Sequence, residues 1–123
     1  MALTKSQCNG AQKGNYLESG MLMDSFLSNA ISMLQTRKML TTNSAEALNI
    51  GIQIPTLQAE QAKIRAQMAA YSAGKNAINP PTDPQVAAIQ AESTALDGMT
   101  AASDDLNAIL GVVSTGLGIW NTF

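Results

Sequence analysis

Asp104-Asp105 is the only adjacent pair of carboxylates in the chain, Cys8 is its only thiol, and there is no histidine. Two carboxylates perform general acid–base work when both reach one substrate. Neighbours on a helix diverge by about 100°, so Asp104 and Asp105 suit the solvated start of a helix better than a catalytic pair. Without histidine the commonest general base and metal ligand is missing. One cysteine cannot build a Cys/His zinc site or an internal disulfide, and Cys8 reads as an incidental thiol. Gly111, Gly116 and Gly118 superficially suggest a glycine-rich phosphate loop. No Lys-Ser/Thr follows them and no strand signal precedes them, which removes that chemistry. These residue types imply no catalytic residue, no cofactor and no metal.

The charges are sorted by position. Lys5, Lys13, Arg37, Lys38, Lys63, Arg65 and Lys75 all lie at or before residue 75, where Glu18, Asp24, Glu46 and Glu60 leave a net +3. Beyond come only Asp83, Glu92, Asp97, Asp104 and Asp105, a net −5, and then eighteen uncharged residues, Leu106 to Phe123. An overall charge of −2 and sparse basic residues exclude nucleic acid as a partner. Charged residues make up 13% of the chain and aromatic ones 4%. Nineteen alanines and seven methionines favour slender helices packed on one another.

The elements follow from spacing and punctuation. Residues 1–16, rich in Ser, Gln, Asn and Gly, read as a flexible polar leader, and 17–123 as a single helical domain. Leu22, Phe26, Ala30, Met33 and Leu40 predict an amphipathic helix over 17–41. Asn43 and Glu46 have capping-box spacing for a short helix ending near Gly51. Pro55 then suits the first turn of the next helix. Leu57, Ile64, Met68, Tyr71 and Ile78 form its apolar side, opposite Gln58, Glu60, Lys63 and Gln67.

Asn79-Pro80-Pro81-Thr82-Asp83-Pro84 ends that helix, so 79–84 is a turn set by Pro80, Pro81 and Pro84. Val86, Ile89, Leu96 and Met99 continue the pattern, with Ser103-Asp104-Asp105 as an alternative fresh helix start. The segments either side of the turn should run antiparallel.

The uncharged tail carries the candidate packing residues. Leu106, Leu110, Val113, Leu117 and Trp120 fall on one stripe, ending near Phe123. Gly111, Ser114 and Gly118 form a small row where another helix can approach closely. Subunit packing ranks first for this tail and an ordinary core helix second. Membrane contact through residues 106–123 ranks last, since eighteen residues at about 1.5 Å each only approach the hydrocarbon thickness.

The order helix, Asn79-Pro80-Pro81-Thr82-Asp83-Pro84-Gln85, helix and aromatic end at Phe123 resembles the needle subunits of type III secretion systems. The resemblance covers about residues 57–123 and is shared in composition by inner-rod subunits and helical virion proteins. It implies a small helical hairpin that polymerises into a hollow filament and is exported without a cleaved leader. Met1–Tyr16 lacks the apolar stretch of a cleaved signal peptide, which agrees with secretion of that kind or with a place in a virion.

The chain is therefore expected to be all-α, an extended helical hairpin with an additional N-terminal helix. Its expected role is that of a non-enzymatic structural subunit and homo-oligomer, with Leu57, Ile64, Met68, Tyr71, Val86, Ile89 and Leu96 as packing residues and the tail as the surface between copies. The rival readings are a phage virion protein and a cytoplasmic helical adaptor binding one protein partner.

Overall fold

The computed structural model describes all 123 residues. The chain is all-helical: a short 3-10 turn at Lys5–Gln7, then α1 (Gly10–Leu40), α2 (Ser44–Ser72), α3 (Asp83–Asp97) and α4 (Leu106–Trp120). Leu3 and Ile78 exchange backbone hydrogen bonds of 2.6 and 2.8 Å as an isolated bridge, and there is no sheet.

α1 is the axis of the molecule. Its 31 residues extend about 46 Å and pack against all three other helices. Tyr16, Gly20, Met23, Leu27, Ala30 and Leu34 are buried at alternating four- and three-residue steps. α2 answers with Ile50, Ile54, Leu57, Gln61, Ile64, Met68 and Tyr71 at the same alternation, all buried or half-buried. Matching steps of this kind pair two helices along a left-handed seam. Gly20 lets the backbones close up, because a Cβ there would collide with the Met68 thioether.

α3 runs parallel to α1. Asn15 Nδ2 donates to Asp83 Oδ1 at 2.9 Å, and fourteen residues on in both helices Asn29 Nδ2 donates to Asp97 Oδ1 at 2.8 Å. α4 returns against both α3 and α1, with Gly116 against Phe26 of α1. Chain direction thus alternates up, down, up, down. The proline turn reverses the chain as expected, but α2 and α3, the helices it joins, lie on different sides of α1 and do not pack on each other.

The caps explain the boundaries. Asn43 Oδ1 accepts from Glu46 N at 3.0 Å to start α2, and Thr82 with Gln85 forms a reciprocal box at the start of α3. Asp105 accepts from Asn107 N at 2.9 Å, so the fresh start offered at residues 103–105 is the one realised. Gly74 closes α2 at φ 72°, with Lys75 N bonded to Ala70 O at 2.8 Å, a left-handed cap that glycine adopts without strain.

Three expectations are corrected. α2 ends at Ser72, closed by Gly74 well before the prolines, so Ile78 lies outside it in the bridge to Leu3 and not on its apolar side. The polar leader is part of the fold: Asn9 and Gln12 cap α1 reciprocally at 2.8 Å, Cys8 and Tyr16 are buried, and Leu3 is tied to Ile78. Local polarity concealed this, because the cap and the cross-chain bridge need no apolar run. α2 also passes straight through Pro55 instead of breaking near Gly51. A proline inside a helix costs about 3 kcal/mol. Here Gly51, whose carbonyl loses the bond, is exposed to solvent, while Ile50, Ile54 and Leu57 on either side keep one continuous buried seam.

Candidate interaction surface

The carboxylates singled out by sequence serve the backbone. Asp104 Oδ2 accepts from Thr100 N at 2.5 Å, and Asp105 caps α4. Arg37 joins three elements at this end. Its Nε meets Glu46 Oε1 at 2.5 Å, and Nη1 donates to the carbonyls of Ala101 (3.2 Å) and Asp104. Both side chains of the ion pair are mostly covered, at 15% and 20% exposure. The hydrogen bond from Arg37 holds the Glu46 carboxyl below its usual range, and the same bond raises the guanidinium.

The tail lies within the chain. Leu106, Ile109, Val113, Gly116 and Trp120 face inward, while Leu110, Val112, Leu117, Ile119 and Phe123 are half-buried. The inward stripe is thus rotated from the one expected, with Ile109 and Gly116 replacing Leu110 and Leu117. The reason is Phe26, whose ring takes the volume that any side chain at residue 116 would need. Gly111, Ser114 and Gly118 are exposed, and nothing in the chain lies within 4 Å of a Cβ placed on Gly111 or Gly118. No helix is long and apolar enough to cross a membrane.

Four of the five aromatic residues meet where the chain ends come together. Trp120 stacks on Tyr16 at 5.2 Å, Tyr71 meets Tyr16 edge-on at 4.7 Å, and Phe123 meets Trp120 at 5.6 Å. Trp120 Nε1 donates to Gln67 Oε1 at 3.0 Å. Asn79 N donates to Phe123 O at 2.8 Å, so the turn holds the C-terminus. Of the turn prolines, Pro81 is buried, with its carbonyl accepting from Asn15 Nδ2 at 3.1 Å, and Pro84 enters the first turn of α3. Beside this cluster lies a cavity of about 330 Å³ lined by Lys63, Gln67, Asn76 and Trp120, among others. Burial pushes both tyrosine hydroxyls up to about 12, with the Cys8 thiol a lesser cause at Tyr71.

Large apolar side chains are left outside at the opposite end. Met39 is 86% exposed, Leu40 57%, Leu48 72% and Ile52 65%. Leu48 and Ile52 continue along α2. Ala45, Leu48, Ile52, Pro55, Ala59, Ala62, Ala66, Ala69 and Ala73 alternate at three- and four-residue steps, and every one is exposed. Sequence reasoning assigned this side of α2 to Gln58, Glu60, Lys63 and Gln67. The alanines that separate those residues carried the signal, and it was readable as a second seven-residue period.

Protein-family models, curated proteins and solved structures provide no match to this chain.

Proposed function

We propose that this chain is a non-enzymatic structural subunit of a helical assembly made of its own copies. One observation carries the reading: Met39, Leu40, Leu48 and Ile52 stand in solvent at one end of the bundle, with Leu17 and Met21 exposed farther along α1. Isolated exposed apolar residues are ordinary, but contiguous large ones usually mark an interaction surface. The seam of α2 extends that surface along the molecule, and a rigid four-helix body suits repeated packing. The secretion-filament form of this reading rests on the proline turn and aromatic end. Packing of α2 and α3 on opposite sides of α1 adds nothing to it, and a virion subunit fits the same surface. Self-association remains the shared core of both forms.

The test is size-exclusion chromatography with light scattering over about a hundredfold range of concentration, since association responds to mass action. The expected result is a mass that rises with concentration and falls back in Leu48→Lys and Ile52→Lys. A chain that stays monomeric throughout, and binds one different protein instead, is an adaptor.

A further inference from the structure

We propose that the outer face of α2 docks on the outer face of α3 in a second copy of this chain, so that copies join head to tail. This rests on the structural-subunit reading and specifies which surfaces carry it.

The first ground is the pattern of α2. A helix on the surface of a bundle ordinarily turns polar residues outward. α2 instead has two apolar sides in the same seven-residue period, one spent on α1 and one facing solvent from Ala45 to Ala73. Leu48 and Ile52 give the outer side bulk, and the alanines below them permit close approach by another helix. Its three- and four-residue steps match left-handed helix packing.

Charge selects the partner. Lys63 flanks the outer side near its middle, exposed and without an ion-pair partner, whereas Arg65 is already paired with Asp24. Two α2 faces laid against each other antiparallel would bring Lys63 towards its own copy, which opposes a symmetric pair. α3 offers the complement. Pro84, Ala87 and Ala91 are exposed at the same spacing, and the helix bears Asp83, Glu92 and Asp97 with no basic residue. The chain leaves those acids without cations, because its two ion pairs, Arg37–Glu46 and Arg65–Asp24, both lie within the first 65 residues. The opposite signs separated along the sequence thus stay separated in the fold.

Symmetry follows from placement. α2 and α3 occupy different sides of α1, so one copy can present both faces at once. A contact between unlike faces adds copy after copy, into a ring or an open series according to its rotation, whereas a contact between like faces stops at a dimer.

Cysteine cross-linking of the full chain under mild oxidation, alongside light scattering, tests the pairing. Ala62→Cys and Ala91→Cys chains are prepared separately, with Ala59→Cys and Ala66→Cys as alternatives so that a shift of one turn does not hide the link. The parent, whose Cys8 is 6% exposed, serves as the blank. The expected result is a disulfide-linked dimer when an α2 variant is mixed with Ala91→Cys, and little with either alone. Lys63→Glu and Glu92→Lys should each weaken association about tenfold, as like charges facing each other would, and together on one chain should restore it. Links between α2 variants alone, association without any mixed link, or charge variants that associate as the parent does would overturn the α2–α3 pairing while leaving self-assembly standing. A chain monomeric at every concentration overturns both.

Discussion

Gly116 of α4 lies directly against the ring of Phe26 of α1, and no side chain fits between them. Gly111, one helical turn and a half earlier, faces open solvent. Two glycines of one helix therefore have opposite roles. Gly116→Ala should destabilise the chain by about 1–3 kcal/mol, the usual range for overpacking. Gly111→Ala should stabilise it by about 0.5–1 kcal/mol through helix propensity alone. Urea unfolding followed by far-UV circular dichroism measures both, and equal effects would contradict the placement of α4.

Arg37 is the clasp at the far end of the bundle, holding Glu46 and the carbonyls of the α3–α4 turn. Arg37→Met should remove about 1–3 kcal/mol, because those acceptors are then left partly covered without donors. Protonation should loosen the same contact. Glu46 is held below its ordinary value of 4.5, so its contribution is complete above that value and is lost as pH falls through the lower folded-state value. Melting temperature against pH should therefore fall less steeply below 4.5 in Glu46→Gln than in the parent.

Tyr71 presents a contrasting case, as its hydroxyl is buried with only the weakly bonding Cys8 thiol beside it. Tyr71→Phe should be neutral or slightly stabilising, within about 1 kcal/mol, since so weakly paired a polar group gains little from burial. Alkali should act through the same phenols. Tyr16 and Tyr71 ionise near 12 in the fold against 10 when free, so stability is complete below 10 and declines as pH rises from there. Phenolate absorbance and circular dichroism should change together.

Removing residues 2–15 should lower the melting temperature by about 5 °C or more, the shift that a loss of roughly 1 kcal/mol produces in a domain near this size. The deletion takes away the Leu3–Ile78 bridge, the Asn9 cap, buried Cys8 and the Asn15 contacts with Pro81 and Asp83. Unchanged melting would show that the segment is not part of the folded unit.

Helical class, the cap at Asn43, the proline turn, the apolar side of α2 from Leu57 to Tyr71 and that of α3 were all determined by the sequence alone. Each is a local matter of spacing, capping chemistry or a missing backbone donor, and needs no knowledge of the partner helix. The separation of charge was equally legible. Tertiary structure decided the rest. Whether Pro55 breaks α2 depends on a buried seam that continues on both sides of it. Whether residues 1–16 are ordered depends on Ile78 and Tyr71, distant in sequence. The tail presents Ile109 and Gly116 inward because Phe26 stands opposite, a fact of volume that periodicity cannot express. The apolar side of α2 left in solvent emerged the same way: two seams share one period, and only the position of α1 tells which of them the chain itself covers.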